Sequence, residues 1–497
     1  MKNSKQKTLV IGLDGVEPTL LYKLVQDGKL PNLTKIIKKG VSGKLESSIP
    51  PLTAVAWPSF MTGKNPGKFG IFDFIDSRNK KFPAYNFKSI KSKSLWKILS
   101  ENKRRVCVVA VPITYPPEEV NGILISGLDT PDENTSFTYP PELKKELKEE
   151  GYRIWIDKHL YKKRDILPKK LISSMHKRAE VAINLMQKEE WDFFMVVFNE
   201  TDVFAHFCGK KLAECYKEAD KVIGKFLDLI NEKTNLILMS DHGNISYKGV
   251  FYTNKILKDM GLLKLRGKKN RVSNLILSIG ISREHIKDLL ERMNLDKVLK
   301  FISPRVKRKI PASRYTLTDV DWNKTKAYAT GYGIYLTEDD NEVRKSISDK
   351  FNKLSEDYEF KLYKKEEIYS GPYLDKAPDF VIVSDEYEPI NAFEESSIIG
   401  PRKRSGDPKH HSMYGIFIAQ GPEIKKNKEI NAKIIDLAPT ILHIMNVPIP
   451  KDMDGRVLKE IFKKDSELGK REVVYEGEKE GRKIKEQIKK LKSMGRI

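Results

Sequence analysis

Six residues of metal-ligand type and one hydroxyl stand in this chain in the order that a two-metal phosphoryl-transfer site requires. The ligand types are Asp14 in Leu-Val-Ile-Gly-Leu-Asp14-Gly, Asp202 and His206 in Asp202-Val-Phe-Ala-His206, Asp241 and His242 in Ser-Asp241-His242-Gly, and a late His411. The hydroxyl is Thr53, which opens Thr53-Ala-Val-Ala-Trp-Pro-Ser-Phe-Met-Thr62-Gly63. Cleaving a phosphate ester needs a nucleophile, neutralisation of the phosphoryl oxygens and stabilisation of the leaving oxygen. Two cations roughly 4 Å apart can serve all three needs. Carboxylates mixed with imidazoles suit zinc or manganese.

Each residue also has a plainer reading. Asp14 could only cap a turn, and Thr53 is a good helix N-cap. Asp202 and His206, four apart on one helix face, could be a simple ion pair, and His410-His411 could be solvated. Asp241-His242-Gly243 is the stronger signal, because it follows the apolar run Leu-Ile-Leu-Met and both side chains leave a sheet at its edge. What favours chemistry is the joint, ordered occurrence of the set.

The elements that must position these residues are short apolar runs, each followed by a turn and an amphipathic stretch. They are Thr8 to Leu13, Val106 to Val111, Ile123 to Leu128, Asp192 to Phe198, Leu236 to Ser240, Phe380 to Ser384 and Ile416 to Ala419. Runs apolar throughout are expected of strands buried on both faces. Strands alternating with helices predict an α/β fold with a mostly parallel sheet sandwiched by helices. Ligands bind beyond the carboxyl ends of such strands, where Asp14 and Asp241 fall, with Glu200 and Asp202 just after another.

Between 246 and 374 the pattern loosens. Basic runs (Lys264, Arg266, Lys268, Lys269, Arg271, then Arg305, Lys307, Arg308, Lys309) flank an expected helix, Arg283 to Phe301, and Tyr328 to Leu336 reads as a strand. We expect an inserted basic cap over the strand ends at 246–374, a catalytic core from 1–245 and 375–462, and a charged helical tail at 463–497 whose last helix is Gly481 to Met494. A smaller insertion, Pro131 to Lys169, is expected to wall the cleft.

The chain has 497 residues, 39% hydrophobic and 32% charged, with a net charge of +23. That is a soluble globular composition. No run approaches the roughly 18 apolar residues of a spanning helix, and Asp14 interrupts the first apolar run too early for a secretory signal. Three cysteines, Cys107, Cys208 and Cys215, form no CxxC pair and are too few for a disulfide framework. A cytoplasmic protein is expected. The basic surface attracts polyanions, whether phosphate esters, nucleic acid or an anionic membrane surface, although lysine is spread along the whole chain as in any well-solvated surface. A small phosphate-ester or pyrophosphate substrate is the expected partner; no specific nucleic-acid site is expected, and peripheral contact with an anionic surface is compatible with the charge.

The set of motifs resembles the alkaline phosphatase superfamily, and within it the type I phosphodiesterase and nucleotide pyrophosphatase family, prokaryotic cytoplasmic branch. The resemblance spans most of the chain: Leu-Asp14-Gly, Leu30-Pro-Asn-Leu33, the Thr53 to Gly63 block, Asn65-Pro-Gly-Lys-Phe-Gly-Ile-Phe-Asp73, Asp202/His206, Ser-Asp241-His242-Gly, His411 before Gly-Ile-Phe-Ile-Ala-Gln-Gly-Pro, and the terminal Ile-Lys-Lys-Leu-Lys-Ser-Met-Gly. It implies an alkaline-phosphatase-like fold and two divalent metal ions, zinc or manganese. It implies Thr53 as nucleophile, Asp14, Asp241 and His242 holding the metal beside it, and Asp202, His206 and His411 holding the other. His411 is preferred to His410 because it stands four residues before Gly415, the family's usual interval.

The implied reaction is in-line attack by Thr53, a phosphothreonine intermediate and its hydrolysis. Threonine at this position argues against a sulfatase. The chain departs from relatives in having Val55-Ala56 where they carry Pro-Asn, Phe69 where they carry His, and Pro58 beyond the first helical turn, where it can kink the helix. Gly70-Ile71-Phe72-Asp73-Phe74 lacks the asparagine that eukaryotic relatives place there, so nucleotide specificity is not inherited. Two rivals remain at this stage. One is a phosphomonoesterase or phosphoglycerate-mutase-like phosphotransferase using the same bimetal site; the other is a non-catalytic polyanion-binding protein.

Overall fold

The computed structural model describes residues 6–266, 317–391, 393, 397–400 and 409–477. The expected helix Arg283 to Phe301, the basic residues Lys268, Lys269, Arg271, Arg305, Lys307, Arg308 and Lys309, and the expected helix Gly481 to Met494 lie outside the described residues. Two compact units are present. One is built from described residues within Met1–Tyr247, Tyr363–Ala377 and Lys403–Ile497, the other from those within Lys248–Leu362 and Pro378–Arg402.

The first unit holds a ten-stranded sheet. Its strands from the first half of the chain are β1 (Lys7–Leu13), β2 (Val41–Glu46), β3 (Val106–Val111), β4 (Gly122–Ser126), β5 (Thr138–Tyr139), β6 (Phe193–Phe198) and β7 (Thr234–Met239). The order across the sheet is Lys428–Glu429, β2, Tyr414–Gln420, β7, β1, β6, β3, β4, β5, with Ala432–Lys433 also against β2. The centre, β7 to β4, is parallel, and Tyr414–Gln420 runs antiparallel to both β7 and β2. The fold is therefore mixed α/β with a mostly parallel central sheet.

Side chains alternate between the two faces, as the strand period demands. Leu9, Ile11, Phe194, Val196, Leu236 and Leu238 enter one apolar core, and Val10, Phe193, Met195, Val197, Ile237 and Met239 enter the other. Helices cover both. On the first face lie α1 (Pro18–Gln26), α2 (Pro31–Lys39), α7 (Leu167–Lys188), α8 (Glu200–Cys208) and α9 (Leu212–Leu227); on the second lie α3 (Thr53–Thr62), α5 (Leu95–Glu101) and Leu437–Ile444. The turn helix α4 (Pro66–Phe69) follows α3, and α6 (Leu143–Glu149) precedes α7.

Register places the site. Leu13 pairs with Phe198 and Gly12 with Met239, so the chain leaves β1, β6 and β7 at one level of the same edge. Asp14 and Asp241 come out side by side, with Asn199 and α8 on the other side of Asp14.

Several expectations are corrected. Phe380–Val383 is not in the main sheet; it pairs with Gly333–Leu336 in a four-stranded sheet of the second unit. Tyr328 to Leu336 is not one strand but a hairpin, Ala327–Thr330 and Gly333–Leu336, turning at Gly331, whose φ is 47°. The insertion after Pro131 supplies edge strand β5 and buries Phe137, Leu143, Leu147, Tyr152 and Ile154 in the first core. The second unit starts at Lys248 and takes in Pro378–Arg402, while Tyr363–Ala377 belongs with the first, against expected boundaries of 246 and 374. The first part of the expected tail is core material, since Leu468 is fully buried and its carbonyl meets His443 Nε2 at 3.1 Å. Among the described residues, no helix is long and apolar enough to cross a membrane.

Candidate active site

Thr53 is the first residue of α3, not its cap. The N-cap position is Leu52, in extended conformation, and Leu52 makes no side-chain cap. All ten residues of α3 are buried, and the helix runs on through Pro58 to Thr62 before Gly63 (φ 65°) ends it. The polar residues in this buried helix are satisfied internally: Ser59 Oγ donates to the Val55 carbonyl and Thr62 Oγ1 to that of Pro58. The Thr53 hydroxyl is left for other work. Its Oγ1 lies 3.4 Å from Asp14 Oδ1 and 3.1 Å from His242 Nε2. Val55 and Ala56 donate to the Leu52 carbonyl, so helix geometry points the N–H groups of Thr53 and Ala54 into the space ahead of the helix, where an anion is stabilised.

The structure gathers the six ligand-type residues into two groups, Asp14–Asp241–His242 and Asp202–His206–His411, and in each the ligand atoms lie within 4.8 Å of one another. In the first, His242 Nε2 is 3.5 Å from Asp14 Oδ1 and 3.4 Å from Asp241 Oδ2. His242 Nδ1 is 3.0 Å from the Gly243 carbonyl; donating there leaves the Nε2 lone pair directed at the carboxylates and Thr53. In the second, Asp202 Oδ2 is 3.2 Å from His206 Nε2, and His206 Nε2 is 3.0 Å from His411 Nε2. His411 also hydrogen-bonds the Pro51 backbone. The groups adjoin, with the His242 and His411 rings 3.9 Å apart between centroids. His410 is not among the grouped ligand atoms; its ring packs edge-on to His206 at 4.9 Å and stacks on Tyr247 at 5.7 Å.

The electrostatics fit a cationic occupant. Burial, then the neighbouring carboxylates Asp241 and Asp202, push the Asp14 carboxyl well above the usual range. Burial also raises Asp241, with Asp202 adding to it and His242 opposing. Burial works to raise Asp202 too, but His206, His411 and His242 outweigh it and hold that carboxylate below its ordinary range. His411 is pushed well down, first by burial and then by His242. Asp241 Oδ2 is buried without a hydrogen-bond donor. Three neighbouring acids, two of them fully buried and with one oxygen lacking a donor, would take up divalent cations, because hard oxygen and imidazole donors are what such ions coordinate.

Other residues hold this arrangement in place. Trp57 Nε1 donates to Asp14 Oδ2 at 3.4 Å, and Ser47 Oγ to the Asp241 carbonyl at 2.6 Å. Asn244 Nδ2 bridges the Gly15 carbonyl (2.6 Å) and Asp202 Oδ1 (3.3 Å), while Thr201 Oγ1 donates to the Asp14 carbonyl. Gly15, at φ 55°, has no room for a side chain, since a Cβ would sit 2.5 Å from both Asn244 Nδ2 and Asp202 Oδ1. The sequence reading missed these residues. Trp57 carried a usable signal, being one helical turn from Thr53 on the same face; Asn244 carried another, directly following the Asp241-His242-Gly243 motif. Within 70–74, Phe72 is buried against Tyr369, with ring centroids 5.1 Å apart, and Phe74 is 40% exposed.

A sequence model of the type I phosphodiesterase / nucleotide pyrophosphatase family matches residues 8–396. No curated protein matches the chain by sequence. Among solved structures, murine ectonucleotide pyrophosphatase / phosphodiesterase 5 superposes with a TM-score of 0.53 at 16% identity, covering 92% of this chain and 100% of that one. An inactive variant of the murine protein in complex with AMP gives 0.54 at 15%, with the same coverage. A variant of the alkaline phosphatase PafA gives 0.56 at 13%, covering 93% and 100%. At these identities the likeness is one of fold.

Proposed function

The chain belongs to the type I phosphodiesterase / nucleotide pyrophosphatase family, and from that premise we propose that it hydrolyses phosphodiester or pyrophosphate bonds through a phosphothreonine formed on Thr53. Membership makes it a phosphohydrolase. The observation that carries the finer reading is the position of Thr53 Oγ1 at the head of a buried helix, 3.1 Å from His242 Nε2 and 3.4 Å from Asp14 Oδ1. We assign Asp14, Asp241 and His242 to one divalent cation and Asp202, His206 and His411 to a second, with zinc or manganese as the ions that suit these donors. When bound, the two ions supply charge neutralisation and activation of oxygen nucleophiles.

The chain's own groups then act as follows. Thr53 gives its hydroxyl proton to solvent and attacks phosphorus in line; the Oγ1–P bond forms as the bond to the leaving oxygen breaks, and the leaving group departs as an alcohol protonated by water or as a phosphate. The N–H groups of Thr53 and Ala54 hold phosphoryl oxygens during this step. Gly243, through His242 Nδ1, and Trp57 and Ser47, through the two carboxylate residues, keep the first group oriented. Attack of water on the phosphothreonine releases phosphate or a phosphomonoester and regenerates the hydroxyl. Residues 70–74 carry no asparagine, so nothing in that segment restricts the second half of the substrate to a nucleotide. We place the enzyme in the cytoplasm, on the ground that Cys107, Cys208 and Cys215 are buried free thiols.

The test is hydrolysis of bis(p-nitrophenyl) phosphate, p-nitrophenyl phosphate, dinucleotides and nucleotide sugars by protein loaded with zinc or manganese. Diester or pyrophosphate turnover above monoester turnover is expected, with a mass increment on the Thr53 peptide after acid quench equal to the phosphoryl group plus the substituent retained from the substrate. Equal rates for wild type and Thr53→Ala would sink the reading.

A further inference from the structure

Beneath α8 lies an ion pair that the chemistry does not itself require. Arg178 of α7 and Glu200, the first residue of α8, are each only 3% exposed in their side chains. Glu200 Oε1 accepts from Arg178 Nε at 3.1 Å, from Arg178 Nη2 at 2.9 Å and from Ser174 Oγ at 2.7 Å. The guanidinium also reaches the Ile154 carbonyl at 3.5 Å and lies 6.0 Å from the Tyr152 ring. Glu200 Oε2 is buried without a partner. Around the pair the core is apolar, with Tyr152, Ile154 and Met175. Burying two charges is costly, and well-packed apolar pairs of the same volume often stabilise a fold as well or better. A buried pair is thus weak evidence of a stabilising role.

Helix geometry supplies a different role. At 3.6 residues per turn, Asp202 stands about 200° around α8 from Glu200, and His206 about 240°. Glu200 thus anchors the back of the helix whose front presents both ligand-type side chains. Asp14 and Asp241 are set by the register of β1 and β7, but α8 has no ladder to fix its rotation about its own axis. Thr201 ties its first turn to the Asp14 and Phe198 carbonyls, the Lys409 N–H holds the Ala205 carbonyl at 2.9 Å, Phe204 and Ala205 enter the first core, and the three-donor grip on Glu200 Oε1 is the polar anchor at the back of the first turn.

We propose that Arg178 and Glu200, keyed by Ser174, form a positioning pair that sets the rotation of α8 and thereby the spacing of the Asp202–His206–His411 group. The inference rests on the reading of that group as a cation site. Its test is the double variant Arg178→Met/Glu200→Leu in the full chain, with His411→Ala in parallel. Three quantities are read: Tm without added metal, cations retained per chain after dialysis, and kcat and KM for a diester. The double variant is expected to keep or raise Tm, to need about tenfold more zinc or manganese to fill its second site, and to lose kcat with KM little changed. Wild-type cation retention and kcat in the double variant, alongside loss of one cation in His411→Ala, would overturn the positioning role alone. Two cations retained by His411→Ala would overturn the ligand reading beneath it. Should the double variant not fold, Arg178→Lys, which keeps the charge but not the two-pronged grip, must show the same rise in cation requirement at wild-type Tm; an unchanged requirement would overturn the proposal.

Discussion

The two residue groups of the site are built by opposite means. Asp14, Asp241 and His242 stand at the ends of adjacent parallel strands, with side chains 1%, 0% and 0% exposed. Asp202, His206 and His411 come from a helix and the short strand His410–Ser412, and are 15%, 19% and 10% exposed. The first group has two carboxylates to one imidazole, the second one carboxylate to two imidazoles. The strand-borne group is preorganised by the sheet and electrostatically unfinished, with acids that burial, and then the charge of neighbouring carboxylates including Asp202, push toward protonation. The helix-borne group has a single carboxylate, on which burial is outweighed by the imidazole neighbours that hold it below its ordinary range, but the group must be held by side chains. A divalent ion should therefore be held more tightly in the first group and exchange more readily from the second.

The largest expected effect is at the point where the first group meets the nucleophile. Thr53→Ala should lower kcat by roughly 10⁴-fold or more, in the range seen on removing a nucleophile, while both cations remain bound by elemental analysis. If cation content fell instead, the hydroxyl would be a structural ligand and the comparison would have to be redrawn around it.

Next come the groups themselves. Asp241→Asn should cost about 10³-fold in kcat/KM and His411→Ala about 10²-fold, and only the His411 variant should recover substantially in excess zinc or manganese, because its group is the exchangeable one. Steady-state assays across a metal titration measure this. Equal recovery of both variants would break the asymmetry.

A smaller effect is read in stability without metal. The folded-state pKa of Asp14 and of Asp241 is raised from 3.8. Between 3.8 and the raised value the folded state holds a proton that the unfolded state has released, so this contribution to stability falls as pH rises through that window. Cation-free protein should thus lose Tm on going from pH 4 toward neutrality, and Asp241→Asn should flatten the loss. Asp202 has the opposite sign: its lowered value contributes stability above 3.8 that disappears on acidification. Asp202→Asn should accordingly lower the Tm of cation-free protein at pH 7, and scanning calorimetry across pH separates the two behaviours.

The same asymmetry explains what could be read from the sequence. Asp14 and Asp241 each close an uninterrupted apolar run, a local signal for the end of a buried strand, and Asp202 and His206 share a helix face by spacing alone. His411 needed the family interval, since nothing local separates it from His410; in the structure both rings touch His206, but His411 brings its Nε2 to 3.0 Å from His206 Nε2 and packs on His242, whereas His410 stacks on Tyr247. Strand Val41–Glu46 was missed because Val-Ser-Gly-Lys-Leu-Glu alternates in burial and carries Gly43 at its centre, a weak strand pattern. Phe380–Val383 was misassigned because four apolar residues look alike in any sheet. The motif Leu30-Pro-Asn-Leu33, part of the family resemblance, has a structural basis: Asp220, 188 residues from Asn32, accepts the Asn32 and Leu33 N–H groups and caps α2. Contacts at that separation leave no local trace.

The smallest predicted effect tests whether the strand-borne group needs side-chain support at all. Trp57 is fully buried on α3, its ring lies against Gly12 of β1, where a Cβ would come within 2.6 Å of Cη2, and its Nε1 donates to Asp14 Oδ2 at 3.4 Å. That is a long hydrogen bond, and such bonds contribute about 1 kcal/mol or less. Trp57→Phe removes the donor and part of the ring while keeping an aromatic in the gap. With Asp14 already placed by the β1–β7 register, kcat should fall less than about tenfold, and cation affinity should change by less than the Arg178→Met/Glu200→Leu exchange changes it in the other group. A loss as large as that of Asp241→Asn would mean that Trp57, rather than the sheet, sets the carboxylate, and that both groups depend on side-chain anchors equally.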